Sequence, residues 1–97
     1  MKEEEALILL ARDVSSVERA VSRLIKVPLK NNQFNALVSF TFNVGAGALQ
    51  RSTLRQKINR QEHELVPQEL MRFVWCNGRR LLGLVKRRRA EGKLYVL

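Results

Sequence analysis

The chain has 97 residues, room for one small domain. With 45% hydrophobic and 28% charged residues it has the composition of a folded globular chain, which excludes a disordered tail. Its formal charge of +9 directs it towards polyanions; a single Cys excludes an internal disulfide, and one His with one Cys excludes a zinc site.

Ala6 to Ala11 is the longest apolar run, far short of the roughly 20 residues of a membrane span. The opening lacks the pattern of a signal peptide. A cytoplasmic setting is therefore expected, and no cofactor. The charge is unevenly spread: residues 1–48 hold 6 Lys/Arg against 5 Asp/Glu, and residues 49–97 hold 12 against 4. Such a second half suits a cell-wall polymer, lipopolysaccharide or anionic lipid, and equally a solvated helix face.

In chain order, Leu7, Leu10, Val14, Val17, Val21 and Leu24 fall on one face of a helix expected from about Glu3 to Ile25. Glu3, Glu4 and Glu5 favour its first turn, and Pro28 marks its end. The next helix runs from about Asn31 to Val44. It is apolar on nearly every side, as expected of a helix at the centre of a core. Gly45 and Gly47 are read as a tight turn with positive φ. Ser52 or Thr53 caps a short helix to Ile58.

Gln61 to Glu64 reads as a polar loop with His63 exposed. Pro67 starts a helix with Leu70, Phe73 and Val74 as its buried stripe and Asn77-Gly78 as its end. A final helix spans Leu81 to Leu94. No strand pattern is evident. The expectation is an all-α unit of five or six helices around the Asn31 to Val44 helix.

Several of these pieces, in this order, carry a family resemblance. The run Glu3-Glu-Glu-Ala-Leu-Ile-Leu-Leu-Ala-Arg-Asp13-Val14 resembles the long helix between the two lobes of phage-type lysozymes. Ala36-Leu-Val-Ser-Phe-Thr-Phe-Asn43-Val-Gly45-Ala-Gly47 is similar to that family's central helix and glycine turn. Ser52-Thr53-Leu54 with Lys57-Ile58-Asn59 follows in register. Gly83-Leu84-Val85 with Arg87, Arg88 and Glu91 resembles its closing signature. The chain departs from the family pattern at Lys30, at Phe73 and at Cys76-Asn77-Gly78.

The resemblance implies one helical domain over residues 1–97: an interlobe-type helix over 1–26, then the C-terminal lobe over 27–97. It also implies an endolysin function, hydrolysis of the muramide glycosidic bond of peptidoglycan. The family's Glu, Asp and Thr that do this chemistry precede the interlobe helix, and nothing in this chain matches them. The expectation is thus a lysozyme with its catalytic lobe absent and little activity alone.

The resemblance further implies that half of a substrate cleft remains. Asn43 ends the central helix facing the cleft, although a helix-terminal Asn also bonds its own backbone. Trp75 would stack on a sugar or, more often for a lone Trp, join the core. Arg87 and Arg88 would approach the polymer or flank the cleft.

No catalytic residue is assigned. The nine acids lie mostly on solvated faces, where a carboxyl group stays ionised and cannot act as a general acid. Cys76 reads as a small semi-buried hydrophobe. The expected partner is peptidoglycan, joined by a separate catalytic lobe or a second copy covering the first turns of the long helix. The competing function is a non-catalytic cationic module for cell wall, lipopolysaccharide or anionic membrane. Nucleic acid is disfavoured, because the few aromatics leave no stacking platform.

Overall fold

A computed structural model describes residues 14–97. Helix α1 covers Val14–Leu24, α2 Asn31–Val44, α3 Ala46–Gln50 and α4 Thr53–Asn59. A 3-10 turn at His63–Leu65 leads into α5, Val66–Leu70. Strands β1 (Trp75–Cys76) and β2 (Arg79–Arg80) form a small antiparallel hairpin before α6, Leu82–Tyr95. The expected opening of the first helix, Glu3 to Asp13, lies outside the described residues. Among the described residues no helix is long and apolar enough to cross a membrane.

The fold is all-α in character, and α2 is its centre. Ala36, Leu37 and Phe40 of α2 are buried against Val21 and Leu24 of α1, Leu49 of α3, Leu54 and Ile58 of α4, Leu70 of α5 and Tyr95 of α6. Helix α1 meets this core with the spacing read from the sequence: Val21 and Leu24 are buried and Val17 packs beside them, while Val14 is exposed.

Helix ends leave carbonyls that need partners, and distant side chains supply them. Asn59 Nδ2 and Arg55 Nε donate to Leu24 O at 3.1 and 3.0 Å, closing α1. Asn32 Nδ2 donates to Leu94 O and Tyr95 O at 3.0 and 3.1 Å, closing α6. Ser52 caps α4, its hydroxyl accepting from Arg55 N at 3.0 Å.

Four local expectations need correction. Gly45 has φ +98°, so it turns the chain out of α2 as expected. Gly47, however, sits inside α3 and makes no left-handed turn. The helix begun at Pro67 stops at Leu70, so Phe73 and Val74 lie beyond it. Asn77 and Gly78, with φ of 52° and 78°, form the turn of the hairpin instead of a helix end. Finally, His63 is half-buried and not exposed; its Nδ1 lies 2.8 Å from Tyr95 Oη.

Among the described residues the largest fully buried side chain is that of Arg88, at 0% exposure. Its Nε stands 2.7 Å from Glu91 Oε1, and its Nη2 donates to Glu91 Oε2 at 3.1 Å. Ser39 Oγ of α2 donates to the same Glu91 Oε2 at 2.7 Å, and the Arg88 guanidinium lies 5.1 Å from the Phe40 ring centre. A charge sealed from water is tolerated only with such partners. The network therefore fixes α6 against α2. Burial raises the Glu91 carboxyl pKa above its ordinary 4.5, opposed by the hydroxyl of Ser39 and the charge of Arg88.

Glu91→Ala strands the Arg88 charge and should cost about 3–5 kcal/mol in urea unfolding, whereas Arg88→Met with Glu91→Leu should recover most of that loss. The pH dependence has a definite sign. A folded carboxyl pKa above 4.5 means that the native state holds this proton longer than the unfolded state. Stability from this site therefore falls as pH rises from 4.5 through the higher folded value. Unfolding of the native chain should show this downward contribution relative to Glu91→Gln across that window.

Candidate functional site

At the C-terminal end of α2 the chain forms an open groove of about 260 Å3 lined by Asn43, Val44, Arg72, Phe73, Trp75, Cys76 and Leu84. Asn43 is the penultimate residue of α2, and the turn at Gly45 leaves its side chain exposed. Trp75 is carried by β1, paired across the hairpin with Arg80. It is 59% exposed, so the reading of a core tryptophan is overturned. The Asn77-Gly78 turn reverses the chain before the indole can reach the interior.

Phe73 forms the link between groove and core, meeting Phe40 edge-to-face at a centroid distance of 4.9 Å. Arg72 borders the groove and is held 3.3 Å from Glu69 Oε1, an ion pair with its arginine side largely in solvent. Such a pair contributes little to stability. It does keep a guanidinium beside the opening. Cys76, expected to be half-buried, is an exposed free thiol on the hairpin.

The groove combines an aromatic face, apolar walls, an amide that both donates and accepts, and a guanidinium. That set has the chemistry to hold a neutral polyhydroxylated ring, since an indole can stack on an apolar ring face and an amide can bond hydroxyls. Among the described residues no carboxyl group lines the groove. Glu69 is buried and engaged with Arg72. Glu91 has the raised pKa that suits a general acid, yet it is enclosed with Arg88 and Ser39 away from any substrate. Both acids depart from the solvated placement expected for most of the nine. Among the described residues no three His, Cys, Asp or Glu side chains are grouped to hold a metal.

Of the four side chains singled out for substrate, the structure brings Asn43 and Trp75 into one groove. Arg87 is exposed on α6 outside the groove lining. Arg88 points into the core, where its charge is consumed by Glu91, so it cannot approach a polymer. Arg72, Phe73 and Leu84 complete the site and were not anticipated there. The Asn77-Gly78 dipeptide, a strong hairpin signal, was the clue that the segment around Trp75 leaves the helix and opens a groove.

Comparison with known proteins agrees with this architecture. A profile of the phage lysozyme family matches residues 1–91. The chain is 41% identical to an endolysin of Bacillus phage B103 over 96 residues, 99% of this chain and 36% of that protein. It is 37% identical to a SAR-endolysin of Escherichia phage Mu over 87 residues, 90% of this chain and 51% of that one. The muramidase domain of SpmX from Asticaccaulis excentricus superposes with a TM-score of 0.83 at 33% identity, covering 100% of this chain and 69% of that domain. The chain thus spans about half or less of the two curated relatives' length.

Trp75 is the chain's one tryptophan, so its emission reports on the groove alone. Acrylamide should quench it in the folded protein almost as well as in urea. Trp75→Ala should leave urea stability within about 0.5 kcal/mol, as for surface substitutions generally. A buried, poorly quenched indole would refute the hairpin placement.

Proposed function

Because the chain belongs to the phage lysozyme family, we propose that it is the helical half of an endolysin that hydrolyses the muramide glycosidic bond of peptidoglycan. The observation that carries the reading is the groove that joins Asn43 and Trp75 at the end of the central helix. In this assignment Trp75 stacks on a sugar ring, Asn43 bonds an acetamido or hydroxyl group, and Arg72 borders the glycan. Arg88 is a structural residue that holds α6, and Arg87 remains an exposed cation on the same helix.

Glycoside hydrolysis needs a carboxylic acid for the leaving oxygen and a second polar group to activate water or stabilise charge. The described residues place no carboxyl group at the groove, so in this reading the acid comes from the complementary lobe, on the same polypeptide or another. That lobe would dock beside α1, where Val14 is exposed, with a second copy as the other occupant of this face. The assigned target is the wall, outside the cytoplasm in which synthesis takes place.

Turbidity clearing of purified peptidoglycan tests the assignment. The 97 residues alone should not clear it, and mixing with a lobe that carries the acid should. In the mixture, Asn43→Ala with Trp75→Ala should lower the rate about 100-fold or more, as expected when binding contacts to the transition state are removed. Clearing by the isolated chain would show that one of its own acids had been recruited and would overturn the assignment.

A further inference from the structure

The segment from Trp75 to Ala90 contains six arginines and lysines and no acid. Two leucines stand exposed in its midst: Leu81 at 41% and Leu82 at 67%, where β2 passes into α6. Arg79 and Arg80 precede them on the hairpin. Lys86 and Arg89 follow at four and seven residues from Leu82, which places all three on one face of α6. Arg80, Leu82 and Arg89 share a shallow groove of about 250 Å3 floored by Val85. None of the four cations forms an ion pair among the described residues. None of these residues lines the Asn43–Trp75 groove.

We propose that this apex is a docking surface for an anionic phospholipid bilayer. Leu81 and Leu82 enter the interface, and Arg79, Arg80, Lys86 and Arg89 surround them on lipid phosphates. Charge complementarity selects an anionic partner. The leucine pair selects a bilayer over a soluble polyanion, because only an apolar phase removes both side chains from water. The inference is independent of the glycosidase reading, since no residue of the sugar groove takes part.

Co-sedimentation of the full chain with vesicles tests it. One set is phosphatidylcholine alone and the other equal parts phosphatidylcholine and phosphatidylglycerol. The chain should pellet with the anionic set only, and less at high salt. Arg80→Glu with Arg89→Glu should lower partitioning at least about tenfold. Leu82→Asp should lower it about fivefold or more. The charge-matched control Arg51→Glu with Arg60→Glu, on exposed positions elsewhere, should bind nearly as the parent does.

All of these substitutions fall on exposed side chains, and circular dichroism verifies that each variant folds. Three results would overturn the proposal: no pelleting with anionic vesicles; binding indifferent to Leu82→Asp and fully competed by heparin, which means a polyanion surface; or an equal loss in the Arg51 and Arg60 control, which means diffuse charge.

Discussion

Burying the Arg88 charge is the constraint on which the rest of the lobe depends. A guanidinium at 0% exposure needs its counter-charge, and Glu91 supplies it one turn away on the same helix. Ser39 then ties that carboxylate to α2. A hydrophobic pair would fill the same space without fixing the rotation of α6 about its axis. The ionic network tolerates few geometries, so it sets which face of α6 meets the central helix. Leu84 is thereby turned towards the groove, and Lys86 and Arg89 towards water.

The groove inherits its form from that arrangement. The glycine at 45 ends α2 and leaves Asn43 at the opening. Phe73 is anchored on Phe40, the ring over which Arg88 lies, so the groove wall and the buried charge share one aromatic contact. The hairpin then lifts Trp75 out of the core. The groove thus stands on the end of α2, the hairpin and the start of α6, while Glu69 and Glu91 are buried in ion pairs.

Much of this was legible in the sequence. The central helix is apolar on nearly all sides and was readable to its end residues, Asn31 and Val44, because only burial tolerates that pattern. The Ser52 cap and the place of Pro67 in the first turn of α5 followed from local backbone chemistry. Periodicity misled where a helix stripe was extended through Phe73 and Val74, since the Asn-Gly turn overrides it. The fate of Arg88 was hidden for a different reason. In sequence it sits within a run of four cations, and nothing local separates the one that turns inward from the three that face solvent. The partner that decides this, Ser39, is 52 residues from Glu91. Asn43 was found by resemblance and Trp75 by its capacity to stack on a sugar, but the groove that joins them depends on the hairpin and was not foreseeable from spacing.

The central claim is that the Asn43–Trp75 groove is the glycan-binding half of a cleft. Backbone amide shifts of the isotope-labelled chain, followed during titration with soluble peptidoglycan fragments, test it most directly. The account predicts that the largest changes fall on Asn43, Val44, Phe73, Trp75 and Leu84 and vanish in Trp75→Ala. Changes confined to α6 cations, or none at the groove at saturating fragment, would contradict it.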